Sequence, residues 1–376
     1  LNQSRMNIEL QSTLRKTGEV ELRLVEQELA EPARDEIVVK LLATPFHPAD
    51  MSLMFARADV ATAKTVVCGD RSITKLQCSE GAAQAQSARR DLPMAVGMEG
   101  AGEVVAAGSD HAAQALIGRV VAIMGGGMYA RYRIVRAADA LVMPDGVVPS
   151  EAAAAHINPL TALGMIETMR IEGFSGLVHT AASSTVGQIL CRLCDESKIP
   201  LVNIVRRSEQ VDLLRSIGAE HVCDTSDPGF EDGLLRALQQ TGATLAFDAT
   251  GGGDLASRIL ALMERANAPQ GGYHHYGSAV RKKVMIYGTL DPSPLMLLKN
   301  YGLAWEIGGY LVYHFMDRIG TEGVDRLKDK IAAGIKTTFA VNYSRTISLA
   351  DACDPATLNE AGRRATGEKF LIDPSL

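Results

Sequence analysis

The first forty residues alternate apolar and polar positions with the two-residue period of half-buried strands. Ile8 and Leu10, then Val20, Leu22 and Leu24, fit that period, with Thr17-Gly18 as the turn between them. A further turn over residues 32–35 leads into IVVKLL (37–42), an apolar run that predicts a buried strand. Pro45 and Pro48 carry the chain out of that strand. Residues 61–90 are polar and rich in Ala, Gln and Ser, and are expected to form an inserted loop or lid. From residue 94 to about 146, short apolar runs alternate with glycine turns, the pattern of a small barrel-like all-β domain. Ser150 is the expected N-cap of a helical run that passes through Glu151 and Ala152 to Ala155 and continues into NPLTAL (158–163).

At residue 176 the period changes. GLVHTAASSTVGQILCRLCDESKIPLVNIVRRSEQ (176–210) reads as strand, small-residue turn, helix and second strand, with Val186, Ile189, Leu190 and Leu193 on a helical stripe. Ala182, Ser184 and Gly187 occupy the glycine positions of the dinucleotide fingerprint, so the strict motif is degraded. Small residues there let backbone approach a pyrophosphate seated on the helix N-terminus. Strand and helix patterns then alternate to about residue 312, with strands at 245–250, ending in Gly251-Gly252-Gly253, and at 284–290. Such alternation means a doubly wound parallel α/β sheet with ligand at the carboxyl ends of its strands. Ser184, Thr185, Val186, Gly187, Thr250, Gly251, Tyr287, Gly288 and Thr289 are the expected cofactor contacts.

The second strand of this unit ends in Arg206-Arg207, where a chain selecting NAD usually carries an acid about 20 residues past the turn. Guanidinium groups bind phosphate oxygens in bidentate fashion and a carboxylate repels them. The expected cofactor is therefore NADPH. Two surface arginines on a loop are the alternative.

Bulk composition narrows the partners. The 376 residues are 47% apolar and 22% charged, enough for two domains with stable cores. A net charge of −6 argues against nucleic acid or an anionic membrane surface, and no run approaches the ~20 apolar residues of a membrane span. Cys191 and Cys194 form a C-x-x-C inside the helical stripe and are expected to be small core hydrophobes. The N-terminal LNQSRMNIELQ has no apolar signal region, so a cytoplasmic protein with reduced thiols is expected.

In this order, HPADMSLM, GMEGAGEVVAAGS, NPLTALGMI, AASSTVGQ, LLRSIGAEHV, FDATGGG, VMIYGTLD and GEKFLI resemble the medium-chain dehydrogenase/reductase superfamily, in its zinc-independent quinone oxidoreductase and enoyl reductase branch. The resemblance implies a central Rossmann domain (151–320) and a GroES-like β-barrel catalytic domain built from both chain ends (1–150 and 321–376). It also implies homodimers or tetramers, often built through the cofactor domain, with a homodimer expected here. The catalytic zinc ligands of metal-dependent relatives fall at His47, Met98 and Ile157, and Met with Ile cannot complete a zinc site. No metal is therefore expected. The catalytic tyrosine of enoyl thioester reductases would fall near Ala58, and no tyrosine stands between Met51 and Arg90.

The resemblance places His47 near the nicotinamide, where it could donate a proton or be a hydrogen-bonded structural histidine. Asp50 either orients it or caps the following turn. Tyr129 is a candidate for the substrate oxygen, beside Tyr132. Asn158 and Thr161 match the nicotinamide-contacting element, with Thr161 also a catalytic candidate. His156 and the cluster Tyr273-His274-His275-Tyr276, in an insertion over 267–281, read as structural. The expected reaction is hydride transfer from NADPH to a small-molecule quinone or activated α,β-unsaturated carbonyl. A 2-enoyl thioester reductase and a catalytically weak NADPH-binding protein are the alternatives.

Overall fold

Alternation in the first forty residues becomes ladder pairing. In the computed structural model, which describes residues 5–69, 71–268, 274–363 and 369–376 and only the backbone at Cys68 and Arg71, β1 (Met6–Leu14) and β2 (Glu19–Glu28) pair antiparallel with Leu10 opposite Leu24. Gly18 turns the chain between them at a φ of 81°, a conformation that disfavours any residue with a Cβ. The apolar run becomes β3 (Glu36–Pro45), whose Ile37, Val39 and Leu41 point into one core at alternate positions.

The stretch expected to be a loop is largely regular. β4 (Asp59–Cys68) and β5 (Arg71–Gln77) form an antiparallel hairpin, followed by the helix Glu80–Ala85. β5 pairs with β2, and the Thr74 hydroxyl donates to the Cys353 carbonyl at 2.6 Å. The hairpin is thus the edge of a sheet rather than an excursion from it. β6 (Met94–Ala95), β7 (Glu99–Ala107), β8 (Val120–Met124), β9 (Tyr132–Arg136) and β10 (Leu141–Val142) complete this part. Ser150 is not an N-cap: the short helix Pro149–Ala152 is capped at Val148, whose N–H donates to the Glu151 carboxylate at 3.0 Å. The longer helix begins only at Ile157 and runs to Ile171.

β11 (Leu177–Thr180), β12 (Leu201–Val205), β13 (His221–Asp224), β14 (Leu245–Asp248), β15 (Lys282–Ile286) and β16 (Trp305–Gly309) form a second body. All five pairings are parallel, in the order β13-β12-β11-β14-β15-β16. In sequence terms this is 3-2-1-4-5-6, the Rossmann order, whose direction reverses between β11 and β14. Helices Thr185–Ser197, Ser208–Ser216, Phe230–Thr241 and Leu255–Asn267 make the crossovers. Val178, Val202, Ile204, Leu234, Ile259 and Leu260 share a buried core.

The chain then returns to the first body through β17 (Arg345–Ile347) and β18 (Phe370–Ile372). β18 pairs antiparallel with β3, placing Leu371 opposite Pro45. The first body therefore holds two sheets, β4-β5-β2-β1-β6 and β10-β8-β7-β3-β18-β17, the second with β9 also on β3. Contacts divide the chain into residues 1–157 with 328–376, and residues 158–327. The domain limits expected from the sequence were 150/151 and 320/321.

Candidate functional site

In the first body, the helix Pro48–Phe55 opens directly after β3, with His47 as its N-cap and proline at its first position. The His47 N–H donates to Asp50 Oδ2 at 3.1 Å, so Asp50 caps the turn. The ring faces elsewhere: His47 Nε2 lies 2.7 Å from Glu99 Oε1. Glu99 opens β7 with its side chain wholly buried, and its Oε2 accepts the N–H groups of His156 (2.8 Å) and Ile157 (3.1 Å). A buried carboxylate is tolerated when its oxygens are engaged in this way. Burial opposes the His47 cation, but the hydrogen bond and charge of Glu99, with the charge of Asp50, outweigh it and raise the imidazole pKa above its ordinary value. Burial pushes Asp50 up to about 6, against the pull of His47 and its N–H.

Tyr129 has no exposed surface. Its hydroxyl donates to the Pro45 carbonyl at 3.0 Å, and its ring packs edge-on against Phe46 with centroids 5.9 Å apart. Burial raises its phenol well above the usual range. That environment fits a brace under the Pro45–His47 segment better than the substrate contact expected from the sequence. His156 is fully buried, both ring nitrogens lack a partner, and burial lowers it to about 4, so it is neutral at working pH. Among the described residues, no group of three or more His, Cys, Asp and Glu side chains could hold a metal ion.

The second body gathers the expected cofactor residues along one sheet edge, because parallel strands all end on the same side. After β11, Ala181 turns the chain at a φ of 49°, and Ala182 N–H donates to the Ile204 carbonyl at 3.1 Å. Ser184 then caps the helix Thr185–Ser197, its Oγ accepting the Gly187 N–H at 3.2 Å. A Cβ on Gly187 would meet the Ala182 carbonyl oxygen at 2.1 Å, so helix and turn approach as only glycine permits. The N–H groups of Thr185 and Val186 have no carbonyl to reach inside the helix, which makes this turn an anion cradle. Arg206 and Arg207 leave the carboxyl end of β12 with exposed side chains.

On the other side of the sheet reversal, the buried Asp248 at the end of β14 organises the rim. Its Oδ1 accepts the Thr180 hydroxyl (2.6 Å) and the Thr250 N–H (2.9 Å), and its Oδ2 accepts the Gly251 N–H (3.1 Å). Gly251 and the Gly288 that follows β15 pack backbone on backbone: a Cβ on Gly251 would lie 2.3 Å from the Gly288 oxygen. Tyr287 N–H donates to the Asp248 carbonyl at 2.9 Å, and Thr289 is exposed just beyond. Asn158 and Thr161 occupy the first turns of the helix Ile157–Ile171, both largely buried; the Asn158 Nδ2 has no partner.

Sequence reasoning missed Glu99, Asp248 and Thr180. A charge amid VGMEGAG and an acid closing LAFD were visible, since both interrupt apolar runs. Tyr273 lies outside the described residues; His274, His275 and Tyr276 are exposed ahead of β15. Cys191 and Cys194 are buried, which pushes their thiols up to about 11 and about 12.

A Rossmann sheet in one body and a GroES-like β body made from both chain ends in the other define the fold of medium-chain dehydrogenases/reductases. Relatives named quinone oxidoreductase and mitochondrial enoyl-[acyl-carrier-protein] reductase match the chain, as do solved structures of an NADPH:quinone reductase candidate and of an Etr1p/NADP/crotonyl-CoA complex. The chain is 31% identical over 245 residues to mouse prostaglandin reductase-3, covering 64% of this chain and 62% of that protein. It is 28% identical over 162 residues to a quinone oxidoreductase from Pseudomonas aeruginosa, 43% of this chain and 50% of the other. An NADPH:quinone reductase candidate from Mesorhizobium loti superposes with a TM-score of 0.74 over 100% of both chains at 22% identity. The matches span roughly half to three fifths of the curated relatives' length. No family model matches the chain.

Proposed function

We propose that the protein is a zinc-independent, NADPH-dependent oxidoreductase that reduces a quinone or similarly activated α,β-unsaturated carbonyl. The observation that carries this reading is the carboxyl edge of the Rossmann sheet, where an anion cradle at Ser184–Gly187 is accompanied by Arg206 and Arg207 rather than an acid. The cradle suits a pyrophosphate, and two exposed guanidinium groups suit a 2′-phosphate. A relative named quinone oxidoreductase and a neighbour solved with NADPH support it.

When bound, NADPH supplies the hydride. The chain's own contribution is placement and a proton. Ser184, Thr185, Val186 and Gly187 receive the pyrophosphate; Thr250, Gly251, Gly288 and Thr289 form the rim; Asn158 and Thr161 are the proposed contacts to the nicotinamide. His47, with Nε2 committed to Glu99, carries its exchangeable proton on Nδ1 and delivers it to the acceptor oxygen. The raised pKa keeps that proton available near neutrality. The acceptor gains one hydride and one proton, and the neutral His47 recovers its proton from water. Met98 and Ile157 at the positions of zinc ligands support a metal-free reaction.

Steady-state NADPH oxidation with quinones, enals and crotonyl thioesters tests the reading. Turnover on quinones or enals supports it, turnover confined to thioesters supports the enoyl reductase that several relatives are named for, and tight binding without turnover supports a binding protein. Arg206→Ala with Arg207→Ala should weaken NADPH at least about tenfold while leaving NADH within about twofold; equal losses would dismiss the 2′-phosphate role. We also propose a homodimer, supported by the outer edge of β16, unpaired among the described residues, and by the exposed Leu303 and Leu311 flanking it. Light scattering after gel filtration decides it. Free thiols at Cys78, Cys191, Cys194, Cys223 and Cys353 support a reducing compartment.

A further inference from the structure

The carboxyl ends of β11 and β14 flank the point where the sheet changes direction, and there the ladder between them stops early. β11 pairs with β12 as far as Thr180 opposite Ile204, and β14 pairs with β15 as far as Asp248 opposite Ile286. The ladder between β11 and β14 ends one residue sooner, at His179 opposite Phe247. Each strand thus keeps its outer neighbour for a residue after losing the inner one. The crevice that such a reversal opens begins between Thr180 and Asp248.

Side chains take over where the backbone ladder ends. Both residues are wholly buried. The Thr180 hydroxyl donates to Asp248 Oδ1 at 2.6 Å, and its oxygen accepts the Ala249 N–H at 2.8 Å. Asp248 also accepts the N–H groups of Thr250 (2.9 Å) and Gly251 (3.1 Å). Every bond to this carboxylate is one it accepts, and the three donors offset its burial. The turn so held carries the loop after β15, because the Ala249 and Thr250 carbonyls accept the N–H groups of Leu290 (3.2 Å) and Asp291 (2.9 Å). One residue before Thr180, His179 Nε2 lies 2.7 Å from the Tyr287 hydroxyl. The Thr180–Asp248 bond therefore ties β11 to a rim built on β14 and β15.

The proposed function assigns the pyrophosphate to the cradle after β11 and the 2′-phosphate to the arginines after β12. A dinucleotide lies across the reversal, so its nicotinamide half extends the other way, over β14 and β15. We infer that Asp248 and Thr180 are positioning residues, whose hydrogen bond fixes the rim for the nicotinamide half against the cradle for the pyrophosphate. Without the Thr180 hydroxyl, the buried Ala249 N–H loses its acceptor and the turn is free to shift. The adenosine side, built on β12, keeps its geometry. NADPH and NADH share the nicotinamide half, so this clamp differs in its signature from Arg206 and Arg207, which would touch only the 2′-phosphate.

This inference rests on the nucleotide-binding reading, and the test separates the two. Thr180→Val keeps the shape of the side chain without its hydroxyl, and Thr180→Ser keeps the hydroxyl. Asp248→Asn sets an amide N–H₂ against a donor that needs an acceptor. Dissociation constants are measured by titration calorimetry on the full chain for NADPH, NADH and adenosine 2′,5′-bisphosphate, which has the 2′-phosphate but no nicotinamide. Thr180→Val and Asp248→Asn should each weaken NADPH and NADH by a similar factor, about tenfold, the weight of one hydrogen bond to a charged group, and leave the bisphosphate within about twofold. Thr180→Ser should bind NADPH within about threefold of wild type. Unchanged NADPH affinity in Thr180→Val, an equal loss for the bisphosphate, or a Thr180→Ser as weak as Thr180→Val would each overturn the clamp while leaving nucleotide binding intact. A wild type that binds neither NADPH nor NADH overturns both. If Asp248→Asn does not fold, the valine and serine variants decide the matter by themselves.

Discussion

Glu99 joins two distant segments through one carboxylate: Oε1 meets the His47 ring at 2.7 Å, and Oε2 receives the peptide N–H groups of His156 and Ile157. Glu99→Gln keeps an acceptor for those N–H groups and removes the charge. The His47 pKa should then fall below that of the wild type, read from its proton resonances during a pH titration. Turnover that depends on His47 as acid should shift its pH limit downward in step. An unchanged His47 titration would show that Glu99 does not set it.

The same pair predicts how stability varies with pH. The folded pKa of His47 is raised, so the stabilisation it brings is complete below the unfolded value of about 6.5 and is lost as pH rises through the folded value. Asp50 acts in the same direction, because its folded pKa of about 6 also lies above its unfolded one. Its contribution is complete below the unfolded value and lost as pH rises through about 6. Asp50→Asn can still accept the His47 N–H and carries no charge to bury. It should stabilise the protein above pH 7 by roughly 1–3 kcal/mol, with little gain near pH 4, in urea denaturation at the two values.

Ala181 holds a left-handed φ of 49° at the entry to the anion cradle. An L-residue pays roughly 1–2 kcal/mol for that conformation, partly recovered as unfolded-state entropy when compared with glycine. Ala181→Gly is expected to raise stability by up to about 1 kcal/mol. A loss in the melting temperature would mean that the Ala181 methyl contributes packing of its own.

At Gly187 the expectation reverses. A methyl there would stand 2.1 Å from the Ala182 carbonyl oxygen, and its three nearest neighbours are all Ala182 backbone, with no flexible side chain to yield. Gly187→Ala should cost roughly 3 kcal/mol or more and weaken nucleotide binding, checked by denaturation and by titration.

The C-x-x-C thiols should be inert. Cys191 and Cys194 lie in the core at pKa values of about 11 and about 12, with Cys223 at about 11 and Cys353 at about 12 for the same reason. Thiol reagents at pH 8 should label them only on unfolding, since the thiolate is the reactive form. Rapid labelling of the native protein would contradict this burial.

The parts legible in the sequence were those with strong local periodicity. The β1–β2 alternation, the small-residue turn before Val186 and the βαβ rhythm all survive in the structure, because each is decided within about thirty residues. The β4–β5 hairpin was taken for a loop. Its strands carry Ala61, Thr62, Lys64 and Thr65 on exposed positions, and edge strands are polar by need, yet Gly69-Asp70 between TVVC and RSIT was a hairpin signal in plain view. The side-chain clusters were illegible for another reason. His47 with Glu99, Thr180 with Asp248 and His179 with Tyr287 are separated by 52, 68 and 108 positions, and no local pattern encodes such meetings.

The antiparallel pairing of β18 with β3 has a consequence for how the chain assembles. Leu371 finds Pro45 only after nearly the whole chain between them has been spanned, a loop whose closure entropy grows with its length. Residues 158–327 lie inside that loop as a body with its own sheet and core. If that body condenses first, most of the intervening chain no longer needs to be searched, and the final closure becomes a much shorter one. Refolding should accordingly show the Rossmann body acquiring protection before the last strand does, with β18 the slowest segment to exclude solvent.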